Sequence, residues 1–425
     1  MSILIRNARI IDPKSGRDEP ADILIAGNTI ERIDRGIPTG GADVIDAKGR
    51  IVAPGLIDAH AHFREPGFEY KETIKTGTMA AARGGFTSVV CMANTDPVND
   101  NRSITEYIVK KAQQEGIVRT FPCGAITKGL KGAELAEIGD MYQAGIVAIS
   151  DDGKSVRNAG LLRKAFEYAK LFGIPAISHC EDEDLATGYV HEGSASLISG
   201  LEATPAIAEE TIVQRDIAVA RYVDAPIHIT HISTRGSVEI IRGGKQHFSA
   251  LSCDTCPHYF TLADEATLGF DTNTKVNPPL RSREDLEAIK EGLRDGTVDI
   301  IATDHAPHDG PSKDVEFNVA SNGISGLETA FALSLALVRE GVLTLRELLG
   351  KMTWRPAQLF RLSYGELDVG KTADLILFDP DLEWTVDKTT FNSKGKNTPF
   401  HGMRLRGKNL LTIVNGQIVF SDPDL

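Results

Sequence analysis

Two histidines one residue apart, His60 and His62, close an apolar run, Leu56-Ile57-Asp58-Ala59, just before a turn at Glu65-Pro66-Gly67. In an extended chain the side chains at i and i+2 leave the same face. Both imidazoles can therefore address one ion. By itself the pair says little, because most histidines are surface or core residues. Its weight comes from further residues at the ends of other β-like runs. Asp151 and Asp152 follow Val147-Ala148-Ile149-Ser150, His179 follows Ala176-Ile177-Ser178, His231 follows Ile227-His228-Ile229-Thr230, and Asp304 follows Ile300-Ile301-Ala302-Thr303. Imidazole with carboxylate, and no thiolate, is a donor set for Zn²⁺ or a similar divalent ion. Four histidines and two aspartates exceed what one four-coordinate ion needs. They fit two ions about 3.5–4 Å apart that share a carboxylate and clamp a bridging hydroxide. Asp152 is the expected bridge, because Gly153 after it lets the chain turn sharply; Asp151 is the alternative, since neighbours on a strand point to opposite faces. Asp304 is expected both to ligate an ion and to move the proton of the attacking water.

Residues on separate runs meet only if the runs are parallel and end on one side. Across 54–365 the pattern alternates strand and helix. Strands are expected at 56–63, 86–92, 118–125, 146–151, 174–180, 226–232, 249–254 and 298–304. Helices are expected over Tyr70–Arg83, Ser103–Glu115, Leu161–Phe172, Ala206–Tyr222, Arg283–Arg294 and 324–340. Ser103 with Glu106 reads as a capping box, and Gly84-Gly85, Gly116, Gly145 and Gly173 stand where helices end. Eight such units predict an α/β fold, a (β/α)8 TIM barrel with its chemistry at the carboxyl ends of the strands. A doubly wound sheet is the rival, but no Gly-x-Gly-x-x-Gly follows any strand.

The two ends read differently. Residues 1–53 are short strands broken by Asp12-Pro13, Gly16 and Gly27-Asn28, and 366–425 holds more strands with an Asn415-Gly416 hairpin turn. Neither end closes a core alone, so the expectation is one small β-sandwich from both termini, 1–53 plus 366–425, with the catalytic barrel, 54–365, inserted between them. The polar stretch 387–400 reads as a surface loop.

Composition bounds the rest. The net charge is −13, with 46 basic against 59 acidic residues and no basic run, which argues against nucleic acid. No secretory leader and no apolar run near 18 residues is present, so no membrane association is expected. Five scattered cysteines fit reduced thiols in the cytoplasm, including Cys253-x-x-Cys256, which lacks a second pair and reads as core. His305 is expected to face away from the ions beside Asp304, His228 to be core, and His191, His247 and His401 to lie at the surface.

At its strand ends the sequence resembles the amidohydrolases, and among them the dihydroorotases of the monofunctional bacterial, class I type. The resemblance rests on Pro54-Gly55-Leu56-Ile57-Asp58-Ala59-His60-Ala61-His62-Phe63-Arg64-Glu65-Pro66-Gly67, Met92-Ala93-Asn94-Thr95, Asp151-Asp152-Gly153, Asn277-Pro278-Pro279-Leu280-Arg281, Ala302-Thr303-Asp304-His305-Ala306-Pro307-His308 and Gly323-Ile324-Ser325-Gly326-Leu327-Glu328-Thr329. It implies a zinc enzyme that reversibly cyclises N-carbamoyl-L-aspartate to L-dihydroorotate in pyrimidine synthesis, with one or two Zn²⁺ per subunit on His60, His62, Asp152, His179, His231 and Asp304. It also implies substrate contacts from His62, Arg64, Asn94, Asn277, His308, Asn322 and Gly323, Arg64 gripping a carboxylate through its fork. A homodimer is expected, with aspartate carbamoyltransferase as a further partner. Hydantoinases and dihydropyrimidinases bridge their metals with a carboxylated lysine at the end of strand four, and no lysine lies between Gly145 and Gly153 here. The alternatives are such a cyclic amidase, or a non-catalytic barrel that scaffolds aspartate carbamoyltransferase; no expected ligand is missing, which disfavours the second. Gly153 and its polar neighbours make 153–158 a candidate lid.

Overall fold

In the computed structural model, which describes residues 2–425, the middle of the chain curls into a parallel barrel. Its strands are β1 (Leu56–Ala61), β2 (Phe86–Cys91), β3 (Arg119–Gly124), β4 (Ala148–Ile149), β5 (Ala176–Ser178), β6 (Ile227–Ile229), β7 (Leu251–Thr255) and β8 (Ile300–Ile301). They pair in sequence order, every pair parallel. The first and last strands meet through a bridge from Ala61 to His305. Asp58 reinforces that seam by accepting hydrogen bonds from Thr303 N at 2.9 Å and Thr303 Oγ1 at 2.6 Å. Helices α1 (Ile74–Gly84), α2 (Arg102–Glu115), α3 (Ile138–Ala144), α4 (Ala159–Phe172), α5 (Ile207–Val223), α6 (Arg235–Lys245), α7 (Arg283–Asp295) and α8 (Ala330–Arg339) follow the strands in turn. This is the TIM barrel expected from the alternation.

The later strands are shorter than their apolar runs. The 298–304 run pairs only over Ile300–Ile301, and the 226–232 run only over Ile227–Ile229. Beyond the ladder His231 and Asp304 take left-handed backbone conformations, φ +40° and +44°. These break the pairing and turn both side chains over the mouth of the barrel. Helix α2 corrects the capping box expected at Ser103. The cap is Asn101, whose side chain accepts from Ser103 N at 3.0 Å and Ile104 N at 3.3 Å, while Glu106 pairs with Arg102 at 2.6 Å. A short amide two residues upstream reaches the free N–H groups first.

The termini form one mixed sheet beside the barrel. Strands 2–12, 17–26 and 29–34 run as a meander, 375–385, 404–414 and 417–421 as another, and 51–54 joins them by pairing with both 2–12 and 375–378. Asn415 and Gly416 sit at φ +53° and +73° between Val414 and Gln417, the two positive angles that a tight hairpin turn requires. Ile3, Ile5, Ile10, Ile23, Ile25, Leu375, Leu377, Leu411 and Ile413 form this sheet's own core, apart from the barrel's.

Two surface assignments are overturned. In 387–400 the residues Ser393, Gly395, Asn397, Thr398 and Phe400 are buried. Their polar groups are consumed inside: Ser393 Oγ bonds Glu72, and Asn397 holds three loops at the barrel mouth. Polarity had signalled solvent, whereas the true partners lie up to 321 residues away. His191 is likewise buried, accepting from Arg281 Nη1 at 3.3 Å across 90 residues. His247 and His401 are exposed, His228 is core, and all five cysteines are buried free thiols.

Candidate functional site

The strand ends bring six side chains together. His60 and His62 leave β1 on one face, their ring centres 5.1 Å apart. Asp152 follows β4, where its N–H donates to Ser150 Oγ at 3.0 Å and Gly153 turns at φ +84°. His179 follows β5, His231 follows β6 and Asp304 follows β8. The Asp152 carboxylate lies within reach of every imidazole. Oδ1 is 3.4 Å from His60 Nε2, 3.4 Å from His231 Nε2 and 3.5 Å from His179 Nδ1, and Oδ2 is 3.5 Å from His62 Nε2. Asp304 Oδ1 lies 3.1 Å from His62 Nε2 and 3.6 Å from His60 Nε2. Asp151 points elsewhere and accepts from Ile126 N at 2.8 Å and Thr127 N at 2.9 Å. Of the two aspartates, then, only Asp152 faces the imidazoles.

Behind the imidazoles stand Thr230 and Asp254, which sequence reasoning did not single out, and Asn94, which it did. His60 Nδ1 donates to Thr230 Oγ1 at 2.7 Å, and Thr230 donates on to Asp254 at 3.0 Å. Asp254 also accepts from His231 N at 2.6 Å and from His228 at 2.7 Å. His62 Nδ1 donates to Asn94 Oδ1 at 2.9 Å. In both cases the proton is held on the far nitrogen and the lone pair on Nε2 is left facing the carboxylates, the tautomer a metal ligand needs. No local pattern marks Thr230 or Asp254, since each is one polar residue in a strand-end run. His305 faces away, its Nε2 3.3 Å from Glu72 and its Nδ1 accepting from Gly326 N at 3.2 Å.

The electrostatics follow from burial of mixed charges. Burial alone would lower the His60 and His179 pKa values, but the adjacent carboxylates outweigh it. Asp152 lifts His60 to about 9, and Asp152 with Glu181 lifts His179 to about 10. Burial would raise Asp152 and Asp304, yet the surrounding imidazoles hold both far below the ordinary carboxylate range. For His62 burial prevails and the pKa falls. Two donor groups, His60–His62–Asp304 and His60–Asp152–His231, each have ligand atoms mutually within 4.8 Å. The buried His60 Nε2 has no hydrogen-bond partner, and buried polar atoms are rarely left so. Imidazole nitrogens and carboxylate oxygens turned to one point fit a divalent cation.

A cavity of about 270 Å³ opens above this cluster, lined by His62, Arg64, Asn94, Asp152, His179, His231, Asn277, Asp304, His308, Asn322 and Gly323, among others. Arg64 (φ +60°) donates through Nε to Pro307 O at 3.3 Å, its Nη2 lies 3.3 Å from His308 Nε2, and burial lowers it to about 10, still charged at neutral pH. His308 Nε2 donates to Asn322 O at 2.8 Å, which leaves an acceptor lone pair on the buried Nδ1. Burial, then Arg64, pushes this imidazole well below its ordinary range, so it is neutral. Asn277 Nδ2 donates to Glu181 at 3.0 Å and keeps its carbonyl oxygen as an acceptor. Gly323 sits at φ +138°, where a Cβ would lie 2.6 Å from Ala306. The rim loops are pinned by Asn397, which accepts from His308 N at 2.8 Å and donates to Ala306 O and Gly323 O at 3.0 and 2.9 Å. The candidate lid is anchored: Ser155 is buried with its hydroxyl on His179 O, and Arg215 holds Val156 O at 2.9 Å.

Residues 49–237 match the family described as dihydro-orotase-like. A dihydroorotase of Acetivibrio thermocellus is 51% identical over 419 residues, 98% of either chain. One of Geotalea daltonii is 52% identical over 421 residues, 99% of either chain. Among solved structures, an L-hydantoinase (dihydropyrimidinase) from Arthrobacter aurescens superposes with a TM-score of 0.89 at 26% identity, over 99% of this chain and 96% of its own.

Proposed function

The chain belongs to the dihydroorotase family, and from that premise we propose how its own residues carry the reversible interconversion of N-carbamoyl-L-aspartate and L-dihydroorotate. His60, His62, Asp152, His179, His231 and Asp304 would hold one or two divalent cations, Zn²⁺ by donor type, and Asp152 is the carboxylate that all four imidazoles face. When bound, such an ion polarises the ring carbonyl and lowers the pKa of water to about 7. Arg64 receives the substrate carboxylate through its two terminal nitrogens, a bidentate match. Asn94 Nδ2 donates to a substrate oxygen, Asn277 Oδ1 accepts from a substrate N–H, and the lone pair on His308 Nδ1 accepts another. The backbone at Asn322-Gly323 closes the pocket against the ring. Asp304 takes the proton of the attacking water in ring opening and returns it to the leaving nitrogen; in ring closure it runs the same transfer backwards.

The observation that carries this reading is one carboxylate, Asp152, within 3.5 Å of all four imidazoles, below a cavity that Arg64 also lines. The stretch Gly145–Gly153 offers no lysine, so the bridge of the hydantoinase type cannot form there. The test is a spectroscopic assay with dihydroorotate, hydantoin in parallel and zinc-edge anomalous scattering on crystals. Turnover of dihydroorotate alone, with metal signal beside Asp152, is expected; turnover of hydantoin alone would overturn the assignment. The five buried free cysteines favour a reducing compartment such as the cytoplasm, and no helix among the described residues is long and apolar enough to cross a membrane. The assembly we propose is a homodimer, with aspartate carbamoyltransferase as a candidate partner; sedimentation of the chain alone and with that enzyme tests both.

A further inference from the structure

Three of the four site histidines show the same arrangement, one ring nitrogen toward the cluster and the other toward a group behind it. For His60 that group is Thr230, and for His62 it is Asn94. His179 turns Nδ1 inward, 3.5 Å from Asp152 and 2.9 Å from His231 Nε2. Its Nε2 is buried without a hydrogen bond, with Glu181 Oε2 3.6 Å away. The same Oε2 accepts from Asn277 Nδ2 at 3.0 Å. Glu181 itself is fixed from behind, its N–H donating at 2.8 Å to the Ser155 hydroxyl that also bonds His179 O.

We propose that Glu181 is a positioning residue that couples the cation site to the substrate pocket: one carboxylate oxygen keeps the His179 proton on Nε2, freeing Nδ1 for the ion, and orients the Asn277 amide so that its carbonyl faces the substrate. The chemistry requires an acceptor there. If His179 is to offer a lone pair at Nδ1, its proton must sit on Nε2, and an N–H buried with no acceptor is costly. A carboxylate behind a ligating imidazole also raises its basicity. At 3.6 Å the pair is an ion contact rather than a hydrogen bond. Asn277 in turn has only two polar groups, so committing Nδ2 to Glu181 leaves its oxygen for the ligand. The inference rests on the strand-end cluster being a cation site, as proposed above.

The test uses the full chain stripped of metal. Zn²⁺ affinity is measured by competition with a chromophoric chelator, without substrate, for the parent, Glu181→Gln, Asn277→Ala and the double variant. KM and kcat for dihydroorotate follow on the reloaded proteins. The expected result is a loss of Zn²⁺ affinity of about 10- to 100-fold in Glu181→Gln, with affinity nearly unchanged in Asn277→Ala. KM rises in both single variants, and the double variant is no worse in KM than Asn277→Ala alone, because both changes cut one link. Zn²⁺ binding within twofold of the parent, additive KM effects, or a Glu181→Gln chain that no longer folds would each overturn the proposal. A parent that neither binds Zn²⁺ nor turns over dihydroorotate would instead overturn the reading of the site on which it rests.

Discussion

The floor and the rim of the cavity are built on different principles. The floor is six ionisable side chains delivered by β1, β4, β5, β6 and β8, two of which, His60 and His231, are tied into neighbouring strands through Thr230 and Asp254. The rim is Arg64, Asn94, Asn277, His308 and Gly323, delivered by loops, with His308 and Gly323 braced by Asn397 from near the far end of the chain. Strand ends repeat at one height around a barrel, so the floor is rigid and its members meet by symmetry of the fold. Loops have no such period, and their positions come from side chain to backbone bonds over long separations. On the proposed function the floor would supply reactivity and the rim recognition, and substitutions should separate the two.

The largest effect is expected on the floor. Asp304→Asn keeps the shape but removes the proton carrier, so kcat/KM should fall by about 10²–10⁴-fold with the melting temperature little changed. Activity near the parent's would dissolve the distinction between floor and rim at its strongest point. Next comes the rim: Arg64→Lys retains charge and loses the fork. With charge-assisted hydrogen bonds worth about 1.5–3 kcal/mol, KM for dihydroorotate should rise roughly 10- to 100-fold while kcat moves far less. A fall in kcat with constant KM would place Arg64 in the chemistry instead.

A smaller effect sharpens the floor itself. Thr230→Val removes the hydroxyl between His60 Nδ1 and Asp254, and Zn²⁺ affinity by chelator competition should drop by about tenfold, with KM unchanged once metal is saturating. The smallest concerns the bracing behind the rim. Glu328 accepts from Asn392 N at 2.8 Å and Ser393 N at 3.1 Å, and burial raises its pKa to about 7 from an ordinary 4.5. Between those values the folded chain binds more protons than the unfolded one, so this contribution to stability is whole below about pH 4.5 and is lost as pH rises through 7. Thermal melts from pH 5 to 8 should therefore show the parent losing stability relative to Glu328→Gln, and parallel curves would contradict the assignment.

How much was legible follows the same division. The His60-x-His62 spacing, the strand–helix alternation and the aspartates and histidines at run ends are local signals, each readable within ten residues, and the barrel converts them into one cluster. The Asn415-Gly416 turn was legible for the same reason. Ser103-Glu106 was misread because Asn101, equally local, competes for the same N–H groups. The burial of Ser393, Asn397, Thr398 and His191 was not legible, because polar residues signal solvent until their distant partners are known.

The amino-acid sequence by itself determined the fold class and showed which imidazoles and carboxylates stand at run ends, since periodicity and residue type are properties of short segments. It favoured Asp152 over Asp151 only through the turn that Gly153 allows. Only the tertiary structure decided between them, by giving Asp151 to the backbone of Ile126 and Thr127 and turning Asp152 to the imidazoles. It alone also set Thr230, Asp254, Glu181 and Asn397 behind the site. The reason is physical: hydrogen bonds act over about 3 Å, and which groups come that close across hundreds of residues is fixed by packing, not by proximity along the chain.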